Sequence, residues 1–126
     1  MTARSAKATC DKYFSRVVRA RGHCEYPGCA VTEPLEAAHV IRRRYLGDPD
    51  GIPLRHNEDN AWALCGQHHR EVDLDPVAFA QLVSVTLGEA KYAELLAVRN
   101  ARHRPWRESD WCRERARLLG LLKAAA

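Results

Sequence analysis

Cys24-Glu-Tyr-Pro-Gly-Cys29 and Asp59-Asn60-Ala-Trp-Ala-Leu-Cys65-Gly-Gln-His68-His69 decide how this chain folds, with Glu36-Ala-Ala-His39-Val-Ile41 between them. The first places two thiols on a Pro27-Gly28 turn; the second places a thiol and an imidazole three apart around Gly66. Ligands of a tetrahedral ion lie within about 2.0–2.3 Å of it, so each pair must come from a tight turn. Two such pairs can close one site of three thiolates and one imidazole. Soft thiolates with imidazole in that geometry favour zinc, so Cys24, Cys29, Cys65 and His68 are the expected ligands of a structural Zn²⁺. The neighbouring His69 leaves open which of the two imidazoles binds it. Such a knuckle would offset the small core of a chain of this size.

Outward from the two pairs, the pattern is mixed. Leu35–Ile41 reads as a strand and Ala61–Cys65 as a second, with a helix beginning near Gln67. Residues 46–60, rich in Gly, Pro and Asn, read as a long loop. Upstream, Asp11 can cap a helix over Lys12–Arg21 that Gly22 ends, and residues 1–8 are expected to be disordered. Downstream, Asp75-Pro76 starts a helix that Gly88 stops, and Glu89–Asn100 forms another. Ser109 or Asp110 caps a last helix carrying Trp111, Leu118 and Leu122. The expected fold is therefore α+β: a disordered 1–8, a core over 9–74 and a helical extension over 75–126. Cys10 and Cys112 lie outside the metal pairs and are expected to pack. Trp106 and Trp111 are expected to seal the last helix to the core.

With 126 residues, 46% apolar and 29% charged, the chain supports one globular domain. No apolar run reaches the length of a membrane span. The N-terminal residues lack a signal peptide's apolar stretch, so the expected location is cytoplasmic, the host cytoplasm if the chain is phage-encoded. An odd count of five Cys argues against a disulfide framework. Charge is unevenly spread. Residues 1–47 hold nine Lys or Arg against four Asp or Glu, residues 48–98 three against nine, and residues 99–126 eight against three. Sixteen of the twenty basic residues are Arg, whose fork suits phosphate oxygens. Basic flanks around an acidic middle suggest a polyanion gripped at the ends and a cation held between them. The same composition fits solvated surface faces.

Three polar residues remain. His39 stands at the end of the first strand, Asn60 precedes the second, and His69 follows the second metal pair. Singly they read as a core His, a turn Asn and a surface or capping His. In this order, framed by the Cys pairs, residues 23–73 resemble the HNH endonucleases, the ββα-metal or His-Me finger family. Arg43-Arg44-Tyr45, Asp75-Pro-Val-Ala-Phe79, Leu87-Gly-Glu-Ala-Lys-Tyr92 and Leu95 also look like phage HNH proteins of the lambda Nin-region recombination type.

The resemblance implies a ββα-metal core and a metal-dependent DNA endonuclease. His39 would be the general base and His69 a ligand of a catalytic Mg²⁺ or Mn²⁺. Asn60 would fix the loop and His39, or bind the same ion. A divalent ion can stabilise the phosphorane-like transition state, and a neutral imidazole can deprotonate water. Where the family often carries Asp or His before the catalytic His, this chain has Ala38; Asp59 or Asp73 can substitute. Arg42, Arg43 and Arg44 follow the strand as DNA contacts, at most two on one side of an extended segment. The implied partner is DNA, duplex or branched, with a phage recombination or packaging protein beside it. A second reading is a catalytically silent zinc-binding module that holds DNA or such a partner.

Overall fold

The computed structural model describes residues 2–126, and these form an α+β fold with six α-helices and one two-stranded antiparallel sheet. In chain order come α1 (Ala3–Arg19), β1 (Glu36–His39), α2 (Ile52–Arg55), β2 (Ala61–Leu64), α3 (Gly66–Leu74), α4 (Pro76–Thr86), α5 (Gly88–Asn100) and α6 (Glu108–Ala125). Glu36 faces Leu64 across the sheet and His39 faces Ala61. Because α3 begins two residues after β2, the sheet and this helix make a β-β-α unit with His39 at one end.

All four residues of β2 are buried. Alternation sends Trp62 and Leu64 to one face, where they pack with Ala38, Val72, Leu82 and Leu95. Ala61 and Ala63 face the other way, against Phe14 and Val18 of α1 and Trp111 and Leu118 of α6. Small residues on that face let two helices close over the strand. The C-terminal helix thus completes a second core layer.

Residues 3–8 are helical, which corrects the expectation of disorder over 1–8; Met1 lies outside the described residues. Thr2 caps α1 by accepting the Ser5 N–H at 3.1 Å. Ala6, Cys10, Phe14 and Val18 form one buried stripe at four-residue spacing. A stripe that begins on Ala carries little hydropathy, so its first turns were hidden. Asp11 is correspondingly mid-helix, with no capping role.

Asp75 Oδ1 accepts the Val77 N–H at 2.9 Å and Pro76 opens α4, as the sequence requires. Gly88 separates α4 from α5 at φ +79°, in the left-handed region. Asp110, in the first turn of α6, accepts the Arg107 N–H at 2.9 Å. The Trp106 and Trp111 rings meet edge to face at 4.8 Å. Cys10 is buried and Cys112 is exposed, so only the first of these two packs. Among the described residues, no helix is long and apolar enough to cross a membrane.

The expected loop over 46–60 is more structured than its composition suggests. It contains α2 and a 3-10 turn at Glu58–Asn60. Gly51 packs so closely on the Leu46 backbone that a Cβ there would overlap the Leu46 Cα.

Candidate functional site

The Cys24 and Cys29 turn is built by the Cys29 N–H donating to the Tyr26 carbonyl at 3.0 Å, with Gly28 at φ +80°. Two bonds tie this loop to β2: the Glu25 N–H donates to the Ala63 carbonyl at 2.8 Å, and the Glu25 carboxylate accepts the Ala63 N–H at 2.8 Å. Cys65 stands at the N-cap of α3 and His68 lies in its first turn. The three sulfurs and one His68 ring nitrogen consequently fall within 4.8 Å of one another. His68 Nδ1 is 3.3 Å from Cys65 Sγ and 3.6 Å from Cys24 Sγ. Zn–S bonds of about 2.3 Å and Zn–N bonds of about 2.0–2.1 Å at a tetrahedral angle require a separation of about 3.6 Å. The cluster could therefore hold a metal ion, and its geometry and donor set are consistent with structural zinc. The Tyr26 ring stacks on His68 at 4.1 Å and holds its plane.

The electrostatics differ within the cluster. Burial pushes the Cys24 thiol up to about 11. Burial acts in the same sense on Cys65, but the His68 and Gln67 N–H groups and the adjacent thiols outweigh it, so this thiol is lowered. A thiolate at a helix N-terminus is the expected beneficiary of such donors. His68, not His69, belongs to the cluster.

His69 turns instead toward β1. A groove of about 380 Å³ is lined by Ala37, His39, Arg42, Arg43, Arg44, His69 and Asp73. Both sequence-predicted imidazoles thus meet in one place. His39 Nε2 lies 2.9 Å from the Arg55 carbonyl oxygen. A carbonyl only accepts, so Nε2 carries the proton and Nδ1 keeps a free lone pair. Burial lowers the His39 pKa; the Arg55 carbonyl opposes that, and the positive charges of Arg43, His56 and Arg55 reinforce it. The ring is thereby kept neutral.

His69 Nδ1 is 2.6 Å from the Glu36 carboxylate, and its Nε2 is 3.7 Å from Asp73 Oδ2, one turn along α3. The His69 ring thus stands between two carboxylates, Nδ1 toward Glu36 and Nε2 toward Asp73. Asp73 is in the groove and its carboxylate lies 3.5 Å from Arg42 Nε, whereas Asp59 pairs with Lys91 at 3.0 Å, outside the groove. Ala38 itself is buried against the core.

Asn60 is fully buried. Its Oδ1 accepts the Ile41 N–H at 2.8 Å, and its Nδ2 donates to the carbonyls of Ile41 at 3.3 Å and Leu54 at 3.2 Å. This corrects the expectation of Asn60 as a ligand of the divalent ion: its carboxamide is spent on backbone groups, and it fixes the strand end that carries His39. Arg42–Arg44 are also arranged differently from an extended segment, since Arg43–Tyr45 is a 3-10 turn. Arg42 donates to the Asp73 carbonyl at 2.6 Å, while Arg44 lies over the Tyr45 ring at 5.0 Å. Sequence reasoning missed two groups here, the Arg55 carbonyl and Glu36. A backbone oxygen has no sequence signal at all. Glu36 has one in its strand position, three residues before His39.

No family model, curated protein or solved structure matches the chain.

Proposed function

We propose that this protein is a metal-dependent DNA endonuclease of the HNH type that hydrolyses phosphodiester bonds. The observation that carries the reading is the contact of His39 Nε2 with the Arg55 carbonyl at 2.9 Å, which assigns the proton of a neutral ring to Nε2, in a residue that lines one groove with His69 and Asp73. His39 Nδ1 takes the proton of a water as that water attacks phosphorus. Glu36 orients His69, and His69 Nε2 with Asp73 would hold the divalent ion. An imidazole nitrogen and a carboxylate oxygen 3.7 Å apart are a donor set that a divalent ion could bridge. Mg²⁺ or Mn²⁺ bound there would offset the charge that develops on the phosphoryl oxygens and the leaving 3′-oxygen. Arg43 and Arg44, exposed at the groove, contact flanking phosphates of duplex or branched DNA. The Cys₃His site holds zinc and fixes the start of α3, one residue before His69.

The test is plasmid relaxation or linearisation by the purified protein across Mg²⁺, Mn²⁺, Ni²⁺ and Zn²⁺. Cleavage is expected with Mg²⁺ or Mn²⁺ and is abolished in a folded His39→Ala variant. The buried Ala38 favours a second reading, a silent zinc-binding module that binds DNA or a phage recombination or packaging protein. DNA binding with no cleavage under any ion would establish it instead.

A further inference from the structure

The carbonyl that fixes His39 is itself held in place from several sides. The residues Leu54, Arg55 and His56 present three successive carbonyls, and each meets a different side chain. The Leu54 carbonyl accepts from Asn60 Nδ2 at 3.2 Å, that of Arg55 from His39 Nε2 at 2.9 Å, and that of His56 from Arg117 Nη2 at 2.8 Å. The side chains of the same segment run to one carboxylate on the N-terminal helix. Arg55 donates twice to Asp11, Nε to Oδ1 at 2.7 Å and Nη2 to Oδ2 at 2.8 Å, and His56 Nε2 lies 2.7 Å from Oδ1. Phe14, one turn further along α1, sits between the two imidazoles, 5.7 Å from the His39 ring and 5.5 Å from the His56 ring.

We infer that Asp11 is a positioning residue for His39: by clamping Arg55 and His56 it sets the carbonyl that fixes the tautomer and orientation of the His39 ring. A bidentate Arg–carboxylate pair defines both distance and plane, so it suits holding a peptide at a chosen angle. A second residue that fixes the partner of a functional imidazole decides which ring nitrogen is free. The charged and titratable groups around the ring are Arg43 from the 3-10 turn, Arg55 and His56 from the end of α2, and Asp11 from α1. Asp11 is the acid among them, and it is bound to the other three. Helix α1 is thus part of the site. The consequence for rate rests on the endonuclease reading; the consequence for the His39 ring does not.

The test uses the full zinc-loaded chain, with Asp11→Asn and, as a second variant that keeps the carboxylate, Arg55→Ala. Two readouts are taken: nitrogen NMR of the His39 ring, and the cleavage rate at saturating plasmid beside the DNA dissociation constant. Release of the clamp is expected to perturb the Nε2–H resonance and speed its exchange with solvent. The cleavage rate should fall between about 10- and 100-fold, in line with ångström-scale misplacement of a reacting group. DNA affinity should not weaken in Asp11→Asn, which frees Arg43, and the double variant should be no slower than the worse single one. An unperturbed His39 ring, or a cleavage rate within about twofold of the parent in both folded variants, overturns the inference. If the parent chain cleaves nothing, the endonuclease reading fails and the ring resonance alone decides: a perturbed Nε2–H upholds the clamp, an unchanged one removes it.

Discussion

Asn60 makes three hydrogen bonds from its carboxamide to the backbone of Ile41 and Leu54, accepting once and donating twice. Truncation to Ala orphans the buried N–H and carbonyl of Ile41, while the Leu54 carbonyl keeps the Asn57 N–H. At about 1–3 kcal/mol for a buried unsatisfied group, shared among partners that relax, Asn60→Ala should cost about 3 kcal/mol in urea unfolding. Asn60→Asp separates this role from ion binding, because a carboxylate is the better ligand but cannot donate to Ile41 and Leu54. Loss of stability comparable to that of the Ala variant is expected, with no gain in affinity for Mn²⁺. His39 gives a second prediction at this scale. Burial, helped by Arg43, His56 and Arg55 and opposed by the Arg55 carbonyl, lowers its pKa from 6.5. The unfolded chain therefore takes up this proton at a higher pH than the folded one. The contribution is intact above about 6.5 and is lost as pH falls from there through the folded value. Urea midpoints measured across that window should decline less steeply in His39→Gln, and the acid limb of parent cleavage should lie below 6.5. A cleavage limb centred above 6.5 would remove His39 as the titrating base.

At the scale of elements, the knuckle loop and the Gly47–Asn57 stretch are held by different means. The loop between Cys24 and Cys29 has a tight turn and an anchor on β2, and a bound ion would tie its thiols to Cys65 and His68 at the start of α3. Stripping the metal with a strong chelator should lower the melting temperature, and hydrogen exchange should rise first over residues 23–31 and the first turn of α3. Uniform exchange throughout the chain would show instead that the knuckle is not a local clamp. The other stretch is held by close approach at Gly51, where Ala would press its Cβ into Leu46. Gly51→Ala should destabilise by about 1–3 kcal/mol, the range for overpacking, and should slow cleavage because α2 carries the Arg55 carbonyl. These elements also show what a sequence can reveal. The two ligand pairs were legible because coordination leaves few spacings open, and β2 was legible because a strand covered on both faces must be an unbroken apolar run. The start of α1 was not, since Ala6 buries as well as any residue yet scores as neutral. The placement of Asn60 inside the backbone, rather than on an ion, depends on where residues 41 and 54 meet, a tertiary fact with no local trace.

For the molecule as a whole, the uneven charge along the chain resolves into pairs once it folds. Lys7 meets Asp48 at 3.1 Å, Arg55 meets Asp11, and Arg117 from the basic C-terminal run meets Glu58 at 2.6 Å and Glu114 at 2.5 Å. Arg104 and Arg113 both bind Asp110. The Arg104 hydrogen bond, the Arg107 N–H and the charge of Arg113 hold the Asp110 carboxyl well below the usual carboxylate range, against the opposing effect of burial. Much of the basic run that suggested a second grip on a polyanion is therefore committed within the protein. Arg43 and Arg44, exposed beside His39 and His69, are placed to meet phosphates. Each Arg–phosphate pair removed should reduce the slope of log affinity against log salt by about 0.9 on duplex DNA. Fluorescence anisotropy over a salt series should thus show a slope smaller by about 2 in the Arg43→Ala/Arg44→Ala double variant. Arg113→Ala should leave the slope unchanged, because Arg113 lies on α6 and does not line the groove. A reduction from Arg113→Ala with none from the Arg43→Ala/Arg44→Ala variant would place DNA along α6, away from the imidazoles. The scissile phosphate would then have no path to the groove, so this measurement bears on the whole reading through geometry, without requiring that cleavage be observed.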